Sequence, residues 1–131
     1  MSGPKILVVD DDIDYVESTA AILEANGYEV IAAYDGKEGL EKAKSELPQL
    51  IIIDLMMNTL NEGYDFCRDI RGDERFQEVP LLMISSAHQH EMFKNANFVP
   101  DDIWFPIDIF LDKPVDKETL LKHVNRLLKK R

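Results

Sequence analysis

Uninterrupted apolar runs alternate with stretches whose apolar residues recur every three or four positions. Ile6 to Val9 is apolar throughout, the pattern of a strand covered on both faces. Ile13, Val16, Ala20 and Leu23 then share one side of a helix, which Asn26-Gly27 ends. Tyr28 to Ala33 predicts a second strand, closed by Asp35-Gly36, and Leu40, Ala43 and Leu47 mark a second helix stopped by Pro48. Leu50 to Ile53 is a third apolar strand and ends on Asp54. A helix led by Gly63 carries Phe66 and Ile70 inward and finishes near Gly72. Val79 to Ile84 predicts a fourth strand, ending on Ser85-Ser86, and Ile109 to Leu111 a fifth, followed by Asp112-Lys113-Pro114. The last helix buries Leu120, Val124, Leu127 and Leu128. Between His88 and Ile107 the pattern is weakest; a helix is expected, shortened by Pro100 and Pro106.

Five strand-helix units with apolar strands predict an α/β fold: a doubly wound five-stranded parallel sheet flanked by five helices. With 131 residues the chain has the size of one domain, expected to span residues 1–131. A formal charge of -10 argues against a nucleic-acid-binding surface. The basic cluster Lys122, Arg126, Lys129, Lys130 and Arg131 suits the negative end of a helix dipole. Cys67 is the only cysteine, which favours an intracellular, cytoplasmic setting and a packing role. No apolar run is long enough to span a bilayer, and MSGPK has no signal-peptide pattern, so no membrane insertion is expected.

The first strand runs directly into Asp10, Asp11 and Asp12, with Asp14 close behind. Like charges this close raise the cost of ionising one another, so a cation is expected among them. In doubly wound folds the site lies beyond the carboxyl ends of the strands. There the chain places Asp10 and Asp11, Asp54, Ser85 and Lys113. Hard oxygen ligands suit Mg²⁺, which takes one or two carboxylates and fills its shell with water and phosphate oxygens. Lys113 and Ser85 could then hold phosphoryl oxygens. Asp10 and Asp11 are the expected metal residues, and Asp12 or Asp14 the expected cap of the first helix.

Four segments, KILVVDDD, IIIDLMM, VPLLMISS and IFLDKP, give the chain its family likeness. In that order and spacing it resembles the receiver domain of two-component response regulators, over nearly its whole length. The resemblance implies a flavodoxin-like sheet of order 2-1-3-4-5. It also implies a phosphoacceptor rather than an enzyme, with intrinsic autophosphorylation and slow autodephosphorylation. Asp54 would accept the phosphoryl group from a sensor histidine kinase or phosphotransfer protein. Asp11 would ligate Mg²⁺ directly, Asp10 mainly through water, and the Met56 carbonyl would complete the shell with Asp54. Ser85 matches the switch hydroxyl, beside Ser86, and Phe110 the aromatic that turns inward on activation. Lys113 would pair with the phosphoryl group, next to a cis Lys113–Pro114 bond. A downstream protein target or output domain would read the switch, in a monomer or a phosphorylation-dependent homodimer.

Two departures stand out. Asn58 occupies the position of the family's usual proline, and the stretch from Ser85 to Lys113 is longer than usual, with NANFVPDDIWFPID in place of an Ala/Gly-rich helix end. Trp104-Phe105 reads first as core, yet the stretch from Asn95 to Pro106, with Phe98, Ile103, Trp104 and Phe105 among acids, is the expected partner surface. His88-Gln89-His90-Glu91 reads as an exposed helix face more readily than as a metal site. Met56 and Ala87, two residues after Asp54 and Ser85, cannot orient a water by hydrogen bonding, so slow loss of phosphate is expected. Three rival readings remain. A haloacid-dehalogenase-type phosphatase would use Asp10-Asp11-Asp12 as Asp-x-Asp with Asp10 as nucleophile, leaving Asp54 unexplained. A flavodoxin-like electron carrier would want Ser, Thr and Gly where the aspartates stand. A receiver-shaped binding module would never be phosphorylated.

Overall fold

The apolar runs become parallel strands: β1 (Lys5–Val9), β2 (Glu29–Ala33), β3 (Leu50–Ile53), β4 (Leu81–Ser85) and β5 (Ile109–Asp112). They form one sheet in the order β2-β1-β3-β4-β5 in the computed structural model, which describes residues 3–129. Met1 and Ser2, and Lys130 and Arg131 of the basic cluster, lie outside the described residues. Register follows burial: Val9 pairs with Ala33 on one side and Ile53 on the other, so the strand ends stand level.

Four α-helices cover the sheet: α1 (Ile13–Ala25), α2 (Gly36–Glu46), α3 (Glu62–Arg71) and α4 (Lys117–Lys129). Alternate residues of each strand face opposite layers. Ile6, Val8, Ile52 and Leu82 pack against Val16 and Leu23 of α1 and Val124 and Leu127 of α4. Leu7, Val9, Ile53 and Met83 pack against Ala43 of α2 and Phe66, Cys67 and Ile70 of α3. Burial pushes the Cys67 thiol up to about 12, as suits a packing residue. Asp12 caps α1 by accepting the Tyr15 N–H, and Asp35 caps α2 by accepting that of Glu38. The chain leaves α1 through Gly27, whose φ of 91° favours a residue without Cβ.

Among the described residues there are four α-helices where five helices were expected. Between β4 and β5 the chain forms two single 3-10 turns, Ala87–Gln89 and Glu91–Phe93, then irregular backbone and a small loop closed by Asp101 and Phe105. Pro100 and Pro106 deny this stretch the amide donors of a helix, and the side chains of His90 and Asp101 capture backbone N–H groups locally. Phe93, Phe98 and Phe105 cover the α3 face of the sheet in the missing helix's place. Two further details differ. Ile13 is exposed while Thr19 is buried on α1, and Leu47 is an exposed left-handed cap of α2 with φ of 50°.

Candidate functional site

β1 and β3 end side by side in the middle of the sheet, so the residues that follow them are aimed by the core itself. The Asp10 amide donates to the Ala33 carbonyl and the Asp54 amide to that of Val9, each at 3.1 Å, which carries the strand pairing one residue beyond the strands. Asp10 is 2% exposed and Asp54 6%, whereas Asp11 points to solvent. Carboxylate oxygens of the three lie within 4.8 Å of one another. Octahedral Mg²⁺ with oxygens at ~2.1 Å has opposite ligands about 4.2 Å apart, so this donor set fits the ion after small side-chain shifts. Among the described residues this is the cluster able to hold a metal ion.

Lys113, after β5, reaches back over this edge. Its Nζ donates to Asp10 Oδ2 at 2.8 Å and to Asp54 Oδ2 at 3.1 Å. Burial pushes the Asp10 carboxyl up to about 6, aided by the nearby Asp54 charge and opposed by the hydrogen bond from Lys113. Burial alone would lower the Lys113 ammonium, but its two carboxylate partners outweigh that and hold it above the ordinary range. The Lys113–Pro114 bond is cis.

Ser85 is fully buried at the end of β4, where its Oγ accepts the Ala87 amide at 3.1 Å and its carbonyl accepts the Lys113 amide at 2.9 Å. Ser86 follows, half-buried, and its carbonyl accepts the Gln89 amide. The Met56 amide donates to Asp54 Oδ1 at 3.3 Å, so the backbone at Met56 lies against the Asp54 carboxylate. Ala87 is fully buried in the core. Phe110 is half-buried and stacked on Phe98, ring centres 4.4 Å apart, with the His88 ring edge-on at 5.5 Å. His88 bridges Asp112 and the Ala96 carbonyl, and His90 binds the Met92 amide, so the two histidines serve separate local contacts. Phe105 is half-buried, but Trp104 is 75% exposed and so is not core.

Asp12 spends its carboxylate capping α1, which removes the second aspartate from an Asp-x-Asp pair and disfavours the phosphatase arrangement. A profile of the response regulator receiver domain matches residues 6–125. The chain belongs to the response regulator receiver family. This receiver is similar to Protein PilH of Pseudomonas aeruginosa, 31% identical over 127 residues that cover 95% of this chain and 97% of PilH. It is 34% identical over 128 residues to the DNA-binding dual master transcriptional regulator RpaA of Synechocystis, covering 97% of this chain and 50% of RpaA. The chain thus spans about half the length of some curated relatives and nearly all of another. Among solved structures it superposes on a CheY-like receiver from Methanospirillum hungatei with a TM-score of 0.82 at 28% identity, covering 98% of this chain and 96% of that one. Chemotaxis response regulator CheY4 of Vibrio cholerae gives 0.77 at 30% identity, covering 96% and 99%.

Two residues of the receiver, Tyr15 and Glu62, escaped sequence reasoning, and Gly63 was read only as the start of a helix. The Tyr15 ring lies 4.1 Å from Lys113 Nζ, a cation–π contact that covers the ammonium on the α1 side. Glu62 accepts the Gly36 amide at 2.6 Å and the Asn58 amide at 2.8 Å. Proline at position 58 would have no such amide to give, so Glu62 holds the β3–α3 loop where a ring would otherwise stiffen it. Gly63 lies so close to the end of β3 that a Cβ there would stand 1.9 Å from the Asp54 carbonyl oxygen. A glycine at the first turn of a helix that follows a strand-end acid was the available signal for this close approach.

Proposed function

We propose that this receiver accepts a phosphoryl group on Asp54 from the phosphohistidine of a sensor kinase or phosphotransfer protein, and passes the signal to a protein target. The observation that carries the reading is the pair of buried carboxylates, Asp54 and Asp10, held by one ammonium next to exposed Asp11. An Asp54 oxygen attacks phosphorus; the P–N bond of the donor breaks, its electron pair stays on the imidazole nitrogen, and that nitrogen then takes up a proton. Asp10, Asp11, Asp54 and the Met56 carbonyl would hold Mg²⁺, which offsets negative charge on nucleophile and phosphoryl oxygens. Lys113 supplies the second cation and follows the charge from the Asp54 carboxylate onto the new phosphoryl oxygens. The Ser85 hydroxyl turns toward those oxygens, and the space it leaves admits Phe110, carrying the change to the outer side of β4 and β5. Asp54, Lys113 and Ser85 are thus the reacting and responding groups in a cytoplasmic, Mg²⁺-dependent signalling domain that has no direct role on nucleic acid.

Calorimetric titration with Mg²⁺ and then with a phosphoryl analogue, beryllium fluoride, tests this reading. Mg²⁺ is expected to bind the unmodified chain and to bind Asp11→Ala roughly tenfold or more weakly, since one of three carboxylates is gone. Without metal, Asp11→Ala should melt at the same temperature or slightly higher, because like-charge repulsion is relieved. Beryllium fluoride should raise the melting temperature only with Mg²⁺ and only where Asp54 is intact. Equal stabilisation of Asp54→Asn would return the chain to the reading of a receiver-shaped module that is never phosphorylated.

A further inference from the structure

Away from the acidic edge, α3 and the chain before β5 enclose an apolar pocket of about 370 Å³. Leu55, Tyr64, Phe93, Phe98, Trp104 and Phe105 are among the residues that line it. The rings form one connected layer: Tyr64 stacks on Phe105 at 5.9 Å, Phe105 meets Phe98 at 5.7 Å, and Phe98 stacks on Phe110. Apolar surface continues past the rim, where Trp104 and Ile103 are 75% and 73% exposed and Val99 is exposed as well. A pocket of this size would seat one bulky side chain or a small ligand, and exposed Val99, Ile103 and Trp104 continue the apolar surface past its rim, as at a protein-docking patch.

Charge indicates the occupant. From Asn95 to Asp112 the chain carries Asp101, Asp102, Asp108 and Asp112 and no lysine or arginine. Asp108 is bound to Arg71 and Asp112 to His88, while Asp101 and Asp102 stand exposed at the patch. Asp65 is exposed on α3 beside Tyr64. The neighbouring cations are already engaged, Lys94 with Glu91 at 3.7 Å and Arg68 over the Tyr64 ring at 5.9 Å.

We propose that this pocket docks a basic segment of a partner protein, one bulky apolar side chain entering between Tyr64, Phe98 and Phe105 while flanking Lys or Arg residues meet Asp101 and Asp102. Leu55 follows the acceptor aspartate directly and Phe98 stacks on the switch ring, so the floor of the pocket touches both ends of the phosphorylation switch. The surface therefore gives the downstream target of the phosphoacceptor reading a chemistry, and it rests on that reading only for its dependence on state.

A random dodecapeptide library displayed on phage, selected against the whole chain, tests the surface without a known partner. Enriched peptides are expected to pair an aromatic or leucine anchor with net positive charge and to shift the emission of Trp104, the only tryptophan. Trp104→Ala should weaken them about tenfold or more, as loss of an anchor contact does. Asp101→Asn with Asp102→Asn, which keeps the hydrogen-bond acceptors, should weaken them less and remove most of their salt dependence. Both sites are exposed, so unchanged melting temperatures show that the variants fold. No enrichment, neutral or acidic peptides, or affinity indifferent to Trp104→Ala would overturn the proposal. So would sedimentation showing a dimer that seals the patch, or binding to neutral lipid vesicles in preference to peptide. Repeating the measurement with Mg²⁺ and beryllium fluoride separates the two readings. Peptide affinity that does not change although Asp54 takes up the analogue removes the coupling to the switch, whereas failure to take up the analogue counts against the phosphoacceptor reading alone.

Discussion

The two ends of this sheet edge are built by different means. At β1 and β3, Asp10 and Asp54 hang from strands whose apolar side chains are all buried and whose amides remain paired one residue past the strand ends. Their directions are set by the whole core, and moving them would cost register along the sheet. Beyond β4 the chain to β5 rests instead on two single turns, a small closed loop and a layer of rings around Phe98. A few contacts decide that geometry, so a few can change it. A chemical site needs the first kind of construction and a responsive surface needs the second.

The largest test of the rigid side is Lys113→Met. It leaves Asp10 and Asp54 buried without their cation, so a loss of about 3 kcal/mol in metal-free stability is expected. Mg²⁺ should restore part of that loss in denaturant titrations. A Lys113→Met chain as stable as the parent in EDTA would mean that water reaches the two carboxylates at this edge. On the other side, Phe98→Ala removes the ring that Phe110, Phe93, Phe105 and His88 all touch. A cost of about 2 kcal/mol is expected, with faster amide exchange confined to residues 86–108. Exchange that accelerates equally at β1 and β3 would show that the two regions open together.

Smaller effects refine the contrast. Met56→Asn places a polar group beside Asp54 and should speed loss of phosphate roughly tenfold by positioning water, measured as the decay of the labelled protein. Ala87, the other position expected to flank the site, is fully buried, so Met56 alone is substituted. An unchanged decay rate would place water control elsewhere at the edge. The least effect is that of pH on the β4–β5 segment. The hydrogen bond to Asp112, with that to the Ala96 carbonyl, raises the His88 pKa above its ordinary value. A raised folded-state pKa contributes stability that is complete below the unfolded value of about 6.5 and lost as pH rises through the folded value. Residues 86–108 should thus exchange more slowly near pH 6 than near pH 8.5 after correction for intrinsic rates, and His88→Gln should abolish the difference.

The same contrast explains what was legible beforehand. Apolar runs ending on Asp10, Asp54 and Ser85 could be read because a strand buried on both faces excludes polar residues until it leaves the core. A cap of α1 from Asp12 or Asp14 and the gathering of Lys113 with Asp10 and Asp54 follow from the same regular units, whereas the strand order came from the family resemblance alone. Ile13 was misjudged, and buried Thr19 went unnamed, because three- and four-residue spacing alone cannot decide which edge of a helical stripe faces the sheet. Tyr15, Glu62 and the close approach of Gly63 to Asp54 were missed since each acts through contact with chain distant in sequence or folded back by a loop. The expected helix between His88 and Ile107 failed for a local reason: its prolines and captured amides favour turns, and its apolar rings are placed by one another.

The most direct test of the central claim is to incubate the chain with a small phosphodonor and Mg²⁺ and to map the adduct by mass spectrometry. A phosphoryl group on Asp54 alone, absent in EDTA and in Asp54→Asn, is the expected result. Label on Asp10, or undiminished labelling of Asp54→Asn, would contradict the assignment of the buried carboxylate at the end of β3 as the acceptor.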